Sequence, residues 1–109
     1  MKVMLHLREG VTPARFMMDL SKGIRAGDYK AWEVLKARPL TIRHLGRFRS
    51  TIRLKPASKR ARSGDHRPAD VVATMGGKDA VLVLRYLVYL VASKLGDQVE
   101  GFYVPVDES

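Results

Sequence analysis

Cysteine is absent from the 109-residue chain. Disulfide bonds, thiolate metal ligands and a cysteine nucleophile are therefore excluded, and nothing indicates an oxidising compartment. Long apolar runs are absent too: the longest, residues 80–92, is interrupted by Arg85 and is shorter than the roughly 20 residues that a membrane-spanning helix requires. We therefore predict a soluble, cytoplasmic protein that does not enter a membrane.

Asparagine is also absent, and glutamine occurs once, at Gln98. Both side chains make the paired hydrogen bonds to adenine that many proteins use in the major groove of DNA. A conventional sequence-specific reader of DNA would lack these side chains here, although arginine can still read guanine. Sequence-specific recognition of DNA is therefore disfavoured.

Positive charge is concentrated in one region, residues 36–67. This stretch holds 11 of the 20 Lys and Arg residues and one acid, Asp65, for a formal charge of +10, whereas the rest of the chain carries about −1. A field of one sign confined to one region is typical of a protein that binds a polyanion. The alternative is a solvated strand face and loop whose charge serves only solubility, but such surfaces usually mix both signs.

The N-terminal part of the chain predicts a strand followed by a helix in two pieces. Residues 2–8 alternate apolar and polar side chains, as a half-buried strand does. Thr12 can cap a helix with Pro13 at its first position, and Gly27 is placed to end it. We predict a second helical piece over residues 28–38, stopped by the proline that follows.

The central part predicts a basic hairpin and a basic arm. Residues 40–45 and 51–55 alternate and are separated by a loop that contains glycine, which favours a hairpin. Phe48 lies at its tip, where an aromatic ring can stack on an unpaired base. Residues 56–77 are mostly small, polar and basic, and we predict a long mobile arm because loops of this length are usually functional or disordered.

The arginine-rich hairpin and arm favour nucleic acid as the polyanion. The planar guanidinium group grips phosphate oxygens in pairs and also stacks on bases. The residues predicted to contact nucleic acid are Arg43, Arg47, Phe48, Arg49, Arg53, Lys55, Lys59, Arg60, Arg62 and Arg67.

The C-terminal part predicts a helix and an edge strand. In residues 79–95 the polar side chains collect on one narrow arc at helical spacing and sort less well at strand spacing. Such a wide apolar face is more than one side of a small sheet usually covers, so part of it can meet a second subunit. Residues 99–106 predict the last strand, and Pro105 favours an edge position for it. The predicted partner interface consists of Arg85, Tyr86 and Tyr89.

These elements predict a single domain, residues 1–109, of the α+β class. Their order is the β-α-β-β-α-β pattern of the ferredoxin-like fold, with the first helix in two pieces and a long basic loop before the last helix. A ribbon-helix-helix dimer built on residues 2–8 is a weaker alternative, because it leaves most of the chain unexplained. The RNA recognition motif is not matched, since its third strand needs several aromatic residues and only Phe48 is present, out of register.

An enzymatic alternative depends on two histidines in the basic region. His44 and His66 could act as general base and general acid in a small ribonuclease, but only their position recommends them, so no catalytic residue is predicted. No metal-ligand spacing is recognisable, and residues 72–79 lack the glycine and hydroxyl positions of a nucleotide-binding phosphate loop. We therefore predict neither a metal nor a cofactor.

The sequence leads to one hypothesis and two alternatives. The first is a small non-enzymatic module that binds nucleic acid, RNA ahead of DNA, mainly through phosphate. The second is an assembly subunit, a homodimer or part of a larger complex, whose arm orders on an acidic partner protein. The third and weakest is a small ribonuclease or toxin.

Overall fold

The computed structural model describes residues 1–46, 50–57 and 70–104. It confirms the α+β class: these residues form two helices and a six-stranded antiparallel sheet. The elements in chain order are β1 (Lys2–Leu7), α1 (Pro13–Arg25), β2 (Trp32–Ala37), β3 (Leu40–His44), β4 (Thr51–Pro56), β5 (Asp70–Met75), α2 (Ala80–Lys94) and β6 (Val99–Tyr103).

The strands lie in the order β2-β3-β4-β5-β1-β6, and each neighbouring pair is antiparallel. Because side chains alternate between the two faces of a strand, each strand presents one set to the helices and another to the opposite side. The inward-facing set forms a single hydrophobic core with both helices. The molecule therefore has two layers, with α1 and α2 on the same face of the sheet.

Helix α1 begins and ends where the sequence predicts. The Thr12 hydroxyl accepts a hydrogen bond of 3.1 Å from the backbone N–H of Arg15, and Pro13 occupies the first turn. Phe16 and Leu20 are fully buried against the sheet. Gly27 has a φ of +83°, a backbone conformation that suits glycine and ends the helix.

The predicted second helical piece is wrong, because residues 32–37 form strand β2. Trp32 pairs with His44 and Val34 pairs with Ile42 on the core face, with a bulge before Lys36. The aromatic and β-branched side chains gain more from this pairing than from a short helix. Pro39 lies in the turn between β2 and β3, so it marks a hairpin and not a helix end.

Strand β5 lies inside the stretch predicted as a mobile arm, residues 56–77. It pairs with β4 on one side and β1 on the other, and it buries Val71, Ala73 and Met75. The prediction missed these alternating apolar residues because of the polar segment before them. Residues 58–69, the remainder of the arm, lie outside the described residues.

The other predicted elements are present. Strands β3 and β4 form the predicted hairpin, residues 80–94 form α2, and β6 lies at an edge of the sheet. Pro105 and Val106, the end of the predicted last strand, lie outside the described residues. Among the residues that the structure describes, neither helix has the length and apolar character needed to cross a membrane.

Candidate nucleic-acid interface

The face of the sheet opposite the helices carries the candidate interface, which we call the open face. Arg43, Arg53 and Lys55, three of the predicted phosphate contacts, lie on it and are exposed. They reach it because their strand neighbours, Ile42, Ile52 and Leu54, point into the core and are fully or almost fully buried. Alternation within β3 and β4 therefore sends these basic side chains outward.

Strand register aligns three cations in a row across five strands. Lys36 lies opposite Thr41, Thr41 opposite Arg53, Arg53 opposite Thr74, and Thr74 opposite Lys2. We call this line the basic row; its members in order are Lys36, Thr41, Arg53, Thr74 and Lys2. The three cations are exposed, the two threonines are half-buried, and no carboxylate interrupts the line.

The spacing of the basic row suits an extended anion. Neighbouring strands lie about 4.8 Å apart, so cations on alternate strands are separated by roughly 10 Å at their backbones. This distance exceeds the Debye length of about 8 Å in physiological salt, so the three cations act largely as separate charges. They can contact separate groups of one extended anion along a line that runs across the strands.

A second line of residues adds a cation and an apolar surface next to the basic row. Lys55 lies opposite Val72, Val72 opposite Met4, and Met4 opposite Tyr103. Val72 and Met4 are half-buried and Tyr103 is exposed. The open face thus offers an aliphatic strip and one aromatic ring beside its positive charge.

Arg43 is less available for phosphate than the sequence suggests. Its guanidinium group forms an ion pair with the carboxylate of Glu33, the residue directly opposite it on β2. This partner offsets its charge, so Arg43 adds less to the positive charge of the described part of the open face than an exposed cation without a carboxylate partner would.

Acidic groups define one end of the open face. The His6 Nδ1 atom lies 2.8 Å from Oδ1 of Asp70, and its Nε2 atom lies 3.5 Å from a carboxylate oxygen of Glu100. The Tyr103 hydroxyl donates a hydrogen bond of 2.9 Å to the other oxygen of Asp70. Sequence reasoning missed this cluster because Asp70 meets His6 only through the pairing of β5 with β1.

The remaining predicted phosphate contacts cannot be placed on either face. Seven of the ten predicted residues lie outside the described ranges, namely Arg47, Phe48, Arg49, Lys59, Arg60, Arg62 and Arg67. Conversely, Lys2 and Lys36 of the basic row were not among the predicted contacts, because only strand register places them beside Arg53.

A separate cavity of about 660 Å³ lies on the helix side of the sheet. Its walls are α2 and residues 28–32, and the predicted interface residues Arg85, Tyr86 and Tyr89 all line it. Trp32 and His44 also contribute to its lining. The three residues predicted as a partner interface are therefore brought together at a concave site, and a role in binding a partner stays a prediction.

His44 joins an aromatic stack at this cavity. Its ring centroid lies 4.7 Å from that of Tyr86 at an interplanar angle of 35°, and 5.0 Å from that of Trp32 in an edge-to-face arrangement. Its Nδ1 atom accepts a hydrogen bond of 3.1 Å from the backbone N–H of Gly46, which requires an unprotonated Nδ1. His66, the other member of the predicted ribonuclease pair, lies outside the described residues.

Burial lowers the pKa of His44 below its ordinary value of 6.5. When the pH is lowered, the unfolded chain therefore takes up a proton at His44 before the folded protein does. The contribution of His44 to the free energy of unfolding is complete above about pH 6.5 and is lost as the pH falls below that value. We expect the free energy of unfolding of the parent to decrease more between about pH 7.5 and pH 5.5 than that of His44→Phe. Urea unfolding across this range measures the difference; identical pH profiles would contradict the prediction.

Comparison with known proteins does not assign the chain to a family: no family model, no curated protein and no solved structure matches it.

Proposed function

We propose that this protein binds nucleic acid through the open face of its sheet, with RNA ahead of DNA and without catalysis. The observation that carries the proposal is the basic row, in which Lys36, Arg53 and Lys2 lie in line with no intervening carboxylate. Phosphate groups dominate the affinity of proteins for nucleic acid, and exposed Lys and Arg side chains are their main partners.

The chemistry of the open face favours phosphate contacts over base readout. Arg53 can offer two parallel N–H groups to one phosphate, whereas each lysine acts as a compact point charge. The Thr41 hydroxyl already donates to the carbonyl oxygen of Pro39 at 3.0 Å, so it does not supply a further donor. Tyr103 is the one aromatic ring that strand register places on the described open face, too few for a row of stacked bases.

We also propose that the fold is an extended ferredoxin-like domain. Omitting the hairpin β2–β3 leaves β1, α1, β4, β5, α2 and β6, which is the β-α-β-β-α-β order. Strands β4, β5, β1 and β6 are also consecutive in the sheet. The hairpin then acts as an insertion after α1 that widens the open face and contributes Lys36 to the basic row.

The proposal is tested by titrating the protein into fluorescently labelled single-stranded RNA, duplex RNA and duplex DNA over a series of salt concentrations. Four exposed cations, Lys2, Lys36, Arg53 and Lys55, predict a slope of log affinity against log salt of about −3 or steeper for a single strand. A preference for RNA is expected. Binding no tighter than that of an unrelated protein of equal charge, or a slope near zero, would overturn the proposal.

A further inference from the structure

The cavity beside α2 lies on the opposite side of the sheet from the basic row, so it requires a separate explanation. Leu82, Tyr86 and Leu90 of α2 line one wall, and residues 28–32 line the other. Its volume of about 660 Å³ falls within the range of small-molecule binding sites. The cavity is therefore of a size to hold a small molecule.

The inner wall of the cavity is aromatic. His44 is held between Trp32, which it meets edge to face, and Tyr86, which lies against its ring. Tyr89 follows Tyr86 on the same side of the helix, three residues later, and 73% of its surface is exposed. These rings suit a flat aromatic ligand, because offset stacking is favourable between two π-systems.

The rim of the cavity is positively charged. Lys30, Arg85 and Lys94 line it, and Asp28 is the one acid among its lining residues. The Ser93 hydroxyl donates to the carbonyl oxygen of Tyr89 at 2.6 Å, so its hydrogen is engaged within the helix. Recognition of a polar group therefore depends mainly on the cations, and they favour an anion.

We propose that this cavity binds a nucleotide, whose base stacks on the tyrosine rings while its phosphate contacts Arg85 and the neighbouring lysines. A planar ring joined to an anionic group matches both the aromatic wall and the cationic rim. An apolar helix of a partner protein would make no favourable contact with the cationic rim. The nucleotide can be free in solution or belong to a single strand. The proposal does not depend on the open face, because a mononucleotide needs no contact with the basic row.

Trp32 makes the proposal directly measurable. It is the single tryptophan of the chain, and it lines the cavity. We expect adenosine, guanosine, cytidine and uridine 5′-monophosphates to change its fluorescence saturably, with dissociation constants in the millimolar range or tighter. Inorganic phosphate and the uncharged nucleosides, each lacking one of the two recognised features, should bind at least roughly tenfold more weakly.

Variants distinguish binding in the cavity from a general effect of net charge on nucleotide affinity. Arg85→Gln and Tyr89→Leu are expected to weaken mononucleotide binding roughly tenfold each, and both positions are exposed, so the fold should tolerate the changes. Lys22→Gln, an exposed position on α1, removes the same charge as Arg85→Gln and should have no effect. Circular dichroism confirms that each variant is folded.

Binding of RNA by the same variants distinguishes a free nucleotide from a nucleotide of a single strand. If the Arg85→Gln and Tyr89→Leu variants bind both short single-stranded RNA and mononucleotides more weakly than the parent does, the cavity accepts a nucleotide of a strand. If only their affinity for mononucleotides decreases, the ligand is a free nucleotide. The open face is tested separately, because replacing Lys2, Lys36 and Arg53 should leave mononucleotide binding unchanged. Linear, unsaturable fluorescence changes would overturn the proposal. So would a nucleotide-independent dimer, detected by light scattering, that Tyr89→Leu dissociates.

Discussion

Replacing Lys2, Lys36 and Arg53 together by glutamine is expected to weaken binding of single-stranded RNA roughly 100-fold at about 0.1 M salt. Each cation that neutralises a phosphate releases counterions, and each such contact contributes about 0.7 to the salt slope of a single strand. The slope should therefore become shallower by about 2. Fluorescence anisotropy over a salt series gives both quantities from the same titrations.

The matched control carries Arg15, Lys22 and Arg25 of α1 replaced by glutamine. It loses the same three positive charges from exposed positions, but on the helix side of the sheet. Glutamine is nearly as good a helix former as lysine or arginine, so α1 should remain intact. Equal losses of affinity in the two variants would show that binding follows net charge, and would contradict a role for the basic row.

Phe16→Ala is expected to lower the free energy of unfolding by about 3–5 kcal/mol. Phe16 is among the largest fully buried side chains, and it projects from α1 onto the core face of the sheet. Removing its ring leaves a cavity between helix and sheet that the surrounding side chains fill only in part. Urea unfolding followed by circular dichroism measures the loss.

Met18→Ala is the control for this change. Met18 lies two residues further along α1, and 58% of its surface is exposed. Its replacement should change the free energy of unfolding by no more than about 0.5 kcal/mol. A similar loss in both variants, or a loss near 1 kcal/mol for Phe16→Ala, would mean that α1 does not pack on the sheet as described.

Elements with a strong local pattern could be predicted from the sequence. Helix α1 combines a capping residue, a proline at its start and a glycine after its end, and these signals act within a few residues of one another. In strand β1 and in the hairpin of β3 and β4, buried positions alternate with half-buried or exposed ones. Each of these patterns determines the local structure without information about distant parts of the chain.

Strands β2 and β5 could not be predicted with the same security. Residues 32–37 satisfy both a short helix and a strand, and only pairing with β3 decides between them. Strand β5 follows a long polar stretch, and its place between β4 and β1 depends on partners far along the chain. For both strands, long-range pairing and not local propensity determines the structure.

The residues of the basic row could be predicted only in part from the sequence. The concentration of positive charge between residues 36 and 67 favours a polyanion as partner, and the alternation within residues 51–55 agrees with the exposure of Arg53 and Lys55. The basic row, however, joins Lys2 to Lys36 across five strands. A shift of one residue in any of these pairings would turn a strand's side chains to the other face, so only the register reveals the row.

The residues that line the cavity beside α2 could also be predicted only in part from the sequence. The sequence grouped Arg85, Tyr86 and Tyr89 by helical spacing alone, and it assigned His44 to the basic hairpin. The structure brings Trp32 and His44 to the same site because β2 pairs with β3. Because residues 28–38 were incorrectly predicted as a helix, the cavity wall that residues 28–32 form was not predicted.

The claim that RNA lies on the open face is tested most directly by methyl NMR spectra recorded with and without single-stranded RNA. Met4, Val72 and Thr74 report on the open face, and the exposed methyl group of Met18 reports on α1. We predict that the first three signals shift or broaden on addition of RNA, while that of Met18 stays unchanged. Shifts confined to Met18, or equal shifts on both sides of the sheet, would contradict the account.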